Sequence, residues 1–303
     1  MQDEQSAYHV PVLYNEVVSA LNILPDGIYV DCTFGGGGHA KGILEKLNAN
    51  GRLIAFDQDT DAQKNILHDE QLIFVPYNFR HLQRFLKLYK YEKVNGVLAD
   101  LGVSSFQFNE AERGFSTRFN GPLDMRMDKR TEKTASEILM SYDETQLHKL
   151  FEQYGEVSNS KTLARHIVHE RSNSLLQSID AFKNMLQPVV KGNPNKYLAQ
   201  VFQALRIEVN DEMGALKEML NQLPNVLLPK ARVAIITFHS IEDRIVKNFF
   251  KQTNDDENEN PFSTKKKEEI FKIITKKPVM PSGEEIRNNS RARSAKLRVA
   301  EKI

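Results

Sequence analysis

The stretch Ile28-Tyr-Val-Asp31-Cys-Thr-Phe-Gly35-Gly36-Gly37-Gly38-His39-Ala40 decides how the chain is read. A short apolar run enters four consecutive glycines, and a helical pattern follows from about His39 to Leu47. Glycines between a strand and a helix let the backbone approach a ligand where side chains would clash. Their amides and the start of the helix can hold a carboxylate or phosphate. Asp57 ends the next strand, nineteen residues beyond Gly38, where a carboxylate can accept from two ribose hydroxyls. Gly35, Gly37 and Ala40 also satisfy G-x-G-x-x-G/A, which leaves NAD open as the ligand. Two acids favour S-adenosylmethionine instead. Asp31 precedes the loop, where an acid orients the loop and the methionine end of that donor. Asp100 ends the fourth strand in ADLGVSS, where methyltransferases keep a polar residue toward the reacting atom; capping the following turn is its bland alternative.

Outward from this loop, strands and helices alternate. Arg52–Asp57 (RLIAFD), Gln71–Val75 and Val94–Leu101 (VNGVLADL) read as strands, with helices expected from about Asp61 and over His81–Leu88. Near-continuous apolar strands alternating with helices mean parallel βαβ units covered on both faces. From Phe108 to Ile207 the strand pattern disappears, and ASEILM, TQLHKLFEQY, KTLARHIVHE and SIDAFKNML follow one another as helices. Asn210–Leu223 reads as a further helix and Arg232–Phe238 (RVAIITF) as a fifth buried strand. About a hundred residues separate strands four and five, where one crossover helix would suffice. The expected architecture is α/β: a doubly wound, mostly parallel sheet built from residues 1–107 and 208–303, interrupted by a helical insertion over 108–207.

Composition narrows the function. Of 303 residues 40% are apolar and 27% charged, and 41 Lys and Arg against 40 Asp and Glu give a net charge of +1. No global charge imbalance announces a partner. The single cysteine, Cys32, excludes disulfide frameworks, zinc ribbons and multi-thiolate iron–sulfur sites. No run approaches a membrane span, and MQDEQSAYHVPVL lacks the pattern of a secretory signal. A cytoplasmic, soluble protein is expected. TNDDENEN, over 253–260, reads as a solvated acidic loop. Residues 261–303 carry twelve Lys or Arg against five Glu, which hints at a nucleic-acid-facing edge or at a merely solvated one.

Several motifs extend this reading: HVPVL at His9, DLGVSS at Asp100, ERGFS at Glu112, GPLDMRMD at Gly121, FQALRIEVN at Phe202, TFHSIEDRIVK at Thr237 and SRARSAKLRVAE at Ser290. Over its whole length the chain resembles the RsmH (MraW) family, bacterial enzymes that methylate N4 of a cytosine in 16S rRNA. The resemblance implies the class I (Rossmann-like) methyltransferase fold, S-adenosylmethionine as methyl donor, no metal, and position 1402 in the decoding region of the small-subunit RNA as target. It implies a donor site of Gly37, Gly38, His39, Asp57, Phe79, Asp100 and Gln107, with Asp31, Gly35 and Gly36 in support. Phe79 would lie near adenine, and Gln107 near the donor or the incoming base. One departure stands out from amino-methyltransferases generally: Asp100-Leu-Gly-Val lacks their Pro-Pro-aromatic, so the base must be gripped differently.

The amino group of cytosine is a weak nucleophile because its lone pair is delocalised into the ring. It reacts when acceptors hold its protons and align it with the sulfonium methyl, so positioning supplies most of the rate. Asp100 is the expected acceptor, with holding the cofactor as its alternative role. Neighbouring chemistries fit worse. Cytosine C5 methylation needs a cysteine nucleophile, and Cys32 sits in a strand end ahead of the loop, the place of a small core residue. Ribose 2′-O methylation usually needs a lysine before the first strand, and residues 1–40 contain no Lys or Arg. His239 and Ser240 are adjacent without a nucleophile elbow, so Ser240 reads as a helix cap and His239 as lining the substrate side. Asp124 and Asp128 look like a solvated pair. Candidate RNA contacts are Arg113, Phe115, Arg118, Arg126 and Arg130 at the start of the insertion, His239, and Arg291, Arg293, Lys296 and Arg298 near the end. A SAM-binding RNA-binding or ribosome-assembly factor without turnover is the alternative function.

Overall fold

The computed structural model describes residues 11–172, 176–251 and 269–303. His9 and Val10 of HVPVL and the acidic stretch 253–260 lie outside the described residues. By its internal contacts the chain divides into two compact units: one runs to Gly102 and resumes at Ala215, and the other is Val103–Gly214.

The first unit is the sheet. Its strands are β1 (Ile28–Asp31), β2 (Arg52–Phe56), β3 (Leu72–Val75), β4 (Val94–Asp100), β5 (Leu227–Thr237), β6 (Phe271–Ile273) and β7 (Lys296–Lys302). They lie in the order β3-β2-β1-β4-β5-β7-β6. The first five pair in parallel, while β7 runs antiparallel to β5 and to β6. This is the class I methyltransferase arrangement expected above. Successive strand residues take opposite faces, as pleating requires. Val30, Ile54, Phe56, Val97 and Ala99 enter one core with α3 (Leu82–Leu88), α10 (Glu212–Val226) and α11 (Ser240–Phe250). Tyr29, Leu53, Ala55 and Leu98 enter the other, with α1 (Tyr14–Leu21) and α2 (Gly38–Leu44). Both faces are therefore covered, which is why these strands read as continuous apolar runs. The reversal of strand order between β1 and β4 puts a crevice at their carboxyl ends, where doubly wound sheets bind ligands.

Two expected elements differ. The helix after β2 is a short 3-10 turn, Thr60–Asn65, begun by Asp59, whose carboxylate accepts from Asp61 N. Only Ala62 of that turn is buried, so no apolar stripe exists to hold a longer helix against the sheet. The helix expected over Asn210–Leu223 is interrupted at its start. Asp211 adopts a left-handed conformation after α9 (Pro194–Asn210), and α10 begins anew at Glu212.

The second unit is helical: α4 (Ser105–Asn109), α5 (Ala135–Ser141), α6 (Glu144–Gln153), α7 (Ser160–Glu170), α8 (Ile179–Leu186) and α9. Ser104, Thr134 and Asp143 each cap a helix in a reciprocal box with the residue three further on. Ile138, Leu147, Phe151, Leu163, Phe182, Val201 and Leu205 meet in one core of its own. The unit begins at Val103, ahead of residue 108, because the Ser104 cap belongs to α4. Among the described residues no helix is long and apolar enough to cross a membrane.

Candidate active site

The glycine loop is built by hydrogen bonds from three strand ends. Beyond β1, Thr33 N donates to Asp31 Oδ1 (2.9 Å), and the Thr33 hydroxyl lies 3.4 Å from the same oxygen. Asp100 N at the end of β4 donates to Thr33 Oγ1 (2.7 Å), so Thr33 ties the two strand ends together. Gly35 N donates to Asp57 Oδ2 (2.7 Å) at the end of β2, and Asp59 N donates to Asp57 Oδ1 (2.8 Å). Asn65 Nδ2 donates to Gly35 O (3.0 Å). Gly35 and Gly37 have φ of 52° and 75°, a region in which a side chain is strained. A Cβ on Gly38 would stand 2.3 Å from Pro11 Cγ, whereas a Cβ on Gly36 would meet nothing within 4 Å. Gly36 thus presents its bare backbone to open space.

Around this loop lies an electrostatic arrangement that the fold alone does not require. Asp31 is 1% exposed, and its Oδ2 has no hydrogen-bond partner. Both ring nitrogens of buried His39 and Oδ1 of Asp100 are likewise without partners. His39 Nε2 lies 3.6 Å from Asp100 Oδ2, close enough for charge attraction and too far for a hydrogen bond. Burial raises the Asp31 carboxyl to about 6, against the lowering effect of its bond from Thr33 N. Burial likewise raises Asp57 to about 6, despite its bonds from Asp59 N and Gly35 N. For His39, burial disfavours the charged ring, but Asp100, Asp31 and the Val12 carbonyl together outweigh it and lift the imidazole above its ordinary value. The Tyr14 ring stacks beside His39 at 6.2 Å. Buried polar atoms without partners are costly, and native structures keep them where a ligand completes them.

The arrangement fits S-adenosylmethionine. The unpartnered Asp31 Oδ2 can accept from an ammonium group, Asp100 Oδ1 is a second unpartnered acceptor, half-buried Asp57 at its strand end can accept from a ribose, and open backbone lies at Gly36. Sequence similarity decides the family. The chain matches the MraW methylase family over residues 6–303. It belongs to that family. The chain is 48% identical over 303 residues to the "Ribosomal RNA small subunit methyltransferase H" of Bacteroides fragilis strain YCH46, and 48% identical to the protein of the same name from Bacteroides thetaiotaomicron, with 100% of both chains covered in each case. It also resembles in structure an rRNA methylase from Streptococcus thermophilus, at a TM-score of 0.41 and 11% identity over 96% of this chain and 93% of that one. The methylase is S-adenosylmethionine-dependent. Among the described residues no group of three or more His, Cys, Asp or Glu is arranged to hold a metal.

The structure brings Asp31, Gly35, Gly36, Gly37, Gly38, His39, Asp57 and Asp100 together. Phe79 opens a 3-10 turn, Phe79–His81, half-buried against the core under β3. Gln107 is buried, and its Oε1 accepts from Ser104 N (2.9 Å), so the cap of α4 engages this side chain. Cys32 is a buried core residue. Thr33 and Tyr14 were not singled out in the sequence. The signal for Thr33 was present, since a Thr two residues after an Asp commonly closes a turn on that carboxylate.

Several basic candidates are engaged in the protein itself. Arg113, expected in an RNA cleft, is 4% exposed, and its Nη2 donates to the carbonyls of Arg126 (3.0 Å) and Met127 (3.2 Å). Phe115 is buried in the helical unit's core. Asp124 and Asp128 are not a solvated pair: each carboxylate takes two bonds from an arginine, Arg126 and Arg130 respectively. Arg298 lies on β7 and grips Asp243 of α11 with bonds of 2.6 and 3.1 Å, and Lys296 lies 3.8 Å from the same carboxylate. Arg293 is exposed and Arg291 half-buried, both in a 3-10 turn, Ser290–Ser294, rather than in a strand. The cap of α11 is His239 and not Ser240: Glu242 N donates to His239 Nδ1 (3.4 Å), while Glu242 Oε2 accepts from Phe238 N (2.8 Å) and His239 N (3.3 Å). Geometry favours His239 here because its ring reaches the third amide from an extended backbone, φ −142°.

Proposed function

We propose that this methylase transfers a methyl group from S-adenosylmethionine to N4 of a cytosine in the decoding region of small-subunit rRNA, in the cytoplasm. The partnerless cluster of Asp31 Oδ2, the His39 ring and Asp100 Oδ1 at the carboxyl ends of β1 and β4 carries the reading. Full-length similarity to relatives named as small-subunit rRNA methyltransferases supports the substrate. Asp31 would hold the methionine ammonium, Asp57 the ribose hydroxyls, and the glycine loop the methionine end, with Phe79 toward adenine. When bound, the donor supplies an electrophilic methyl on a sulfonium, needing no further activation.

The chain's own residues then have one task, which is to make the amino nitrogen available. Asp100 would accept a hydrogen bond from the N4 amino group, drawing its lone pair out of conjugation, and receive the proton released as the new N–C bond forms. Asp100 also stands beside His39, whose imidazole is biased toward the charged form by that same carboxylate. The imidazolium would limit the cost of a half-buried Asp100 anion before the proton arrives. A base in RNA structure must be unstacked to reach such a site, at a cost of about a few kcal/mol that contacts elsewhere must offset.

The test is methyl transfer from labelled donor to small ribosomal subunits lacking the modification, followed by nucleoside analysis. N4-methylcytidine at one site is the expected result. Donor binding with no transfer to free rRNA, assembling particles or mature subunits would overturn the enzymatic assignment.

A further inference from the structure

Within the helical unit, the segment from Ala111 to Met125 leaves and returns at one place. Met125 N donates to Arg113 O (3.0 Å), and Gly114 N to Ala111 O (3.2 Å). A Cβ on Gly114 would stand 2.4 Å from Pro122 O, and one on Gly121 would stand 2.2 Å from Ala111 O, so the two limbs touch backbone to backbone. Buried Arg113 and Phe115 fill the base of this loop. The residues around the start of α8 brace its far side: Ile179 N donates to Gly121 O (2.9 Å), Asp180 N to Asn120 Oδ1 (3.2 Å) and Lys183 Nζ to Thr117 O (3.2 Å).

A tip held this firmly displays an aromatic ring and a cation. Phe119 is 41% exposed and Arg118 is exposed. The Arg118 guanidinium carbon lies 5.2 Å from the centre of the Phe108 ring and 5.6 Å from that of Phe119, within cation–π range of both. Arg126, Arg130 and Arg206 of the same unit are each bonded to a carboxylate. Arg118 has no such partner among the described residues; its only side-chain hydrogen bond is a long one to Ser116 Oγ (3.5 Å). Single exposed phenylalanines are ordinary. A guanidinium fixed between two rings, on a braced loop and without a carboxylate, is a preorganised anion contact with a stacking surface beside it.

We propose that Phe108, Arg118 and Phe119 form a stacking platform for an unpaired nucleotide of the RNA substrate, with Arg118 meeting its phosphate. The inference rests on the RNA-methylating function proposed above and adds to it an element of the helical unit that holds RNA. A nucleotide matches the platform because it joins a π face to an anion at short range. The rings hold the guanidinium in one orientation before RNA arrives, so little side-chain freedom remains to be lost on binding.

The platform is tested on the full-length protein with a fluorescein-labelled ten-nucleotide single-stranded RNA, by anisotropy over a range of KCl, together with donor affinity and the KM and kcat of methyl transfer to subunits. Phe119→Ala should weaken RNA binding by about five- to a hundredfold. Phe119→Trp should restore it. Arg118→Ala should lower the slope of log affinity against log salt by about one, and Arg118→Lys should keep the slope. Both alanine variants should raise KM and leave donor affinity unchanged, which separates the platform from damage to the fold. RNA affinity within twofold of wild type for both alanine variants would overturn the proposal and leave an acidic protein segment as the platform's partner. No binding of the oligonucleotide by the wild-type protein would overturn it too. If wild type binds RNA through these residues but methylates no subunit, the platform stands and the proposed reaction fails.

Discussion

Asp31→Asn separates what the site needs from what the fold needs. Asp31 Oδ1 accepts from Thr33 N, and an Asn oxygen can keep that bond, while Oδ2 has no partner to lose. The carboxyl is raised by burial from an ordinary 3.8 to about 6. A group held more basic in the folded state binds its proton there preferentially, so stability falls as pH rises from about 4 to about 6, and the loss persists above that. About two pH units at about 1.4 kcal/mol each amount to about 3 kcal/mol. Donor-free Asp31→Asn should therefore be more stable than wild type at pH 8 by up to about 3 kcal/mol, a net figure that already includes the attraction of His39. The two should coincide near pH 4. Scanning calorimetry of the donor-free proteins at the two pH values reads this as a midpoint several degrees higher for the variant at pH 8 only. Titration calorimetry with S-adenosylmethionine at pH 8 should show affinity about ten- to a hundredfold weaker, the worth of a hydrogen bond to a charged group. A variant less stable than wild type at pH 8, or a stability difference independent of pH, would refute the argument that Asp31 is a strained anion kept for a ligand.

Three other substitutions address neighbouring claims. Gly36→Ala adds a methyl that meets nothing in the protein, so stability should stay within about 0.5 kcal/mol while donor affinity falls at least about tenfold; unchanged affinity would show that the open face of the loop does not receive the donor. Asp100→Asn should reduce turnover far more than donor affinity, and NMR should find His39 titrating lower, because the carboxylate that raises it is gone; affinity lost in step with rate would make Asp100 a holding residue only. Arg298→Ala should destabilise by about 2–3 kcal/mol, because Asp243 loses both hydrogen bonds from that guanidinium and keeps the more distant Lys296, and leave RNA affinity unchanged, whereas charge reversal at Arg291 and Arg293 should weaken RNA binding without altering donor binding. Equal loss of both affinities in the double reversal would mark that turn as structural.

What the sequence disclosed follows from which interactions are local. The parallel strands were legible because each carries a short apolar run that serves both faces. The glycine loop and Asp57 were legible because their spacing is fixed by one βαβ unit. Pairing between distant side chains was not. Nothing in ERGFSTR (112–118) distinguishes Arg113 from Arg118, and the difference arises when the carbonyls of Arg126 and Met127 fold over one and not the other. The DMRMD stretch did carry a signal that went unused: two apolar methionines, Met125 and Met127, flank Arg126, and both are buried. Arg298 shows the same limit from the other side, since the Asp243 that takes its charge lies 55 residues away. The 3-10 turn after β2 misled because Asp61 to Leu67 contains helix-forming residues in an order that makes no buried stripe.

The raised carboxyls also bear on turnover. Asp31 and Asp57 both titrate near 6 in the donor-free protein, and the ligand groups assigned to them, an ammonium and a pair of hydroxyls, prefer the ionised acid. Donor binding at pH 6 should therefore expel protons. Titration calorimetry in two buffers of different ionisation enthalpy measures the number, and Asp31→Asn should lower it. Methyl transfer then removes one positive charge from the donor, leaving a neutral thioether in a site that holds the Asp31, Asp57 and Asp100 carboxylates beside His39. Such a site holds the spent product less tightly than the donor: the ammonium at Asp31 is common to both, so the discrimination comes from the lost sulfonium charge beside the carboxylates. Proton release equal to zero at pH 6, or product bound as tightly as donor, would break this link between the buried charges and the catalytic cycle.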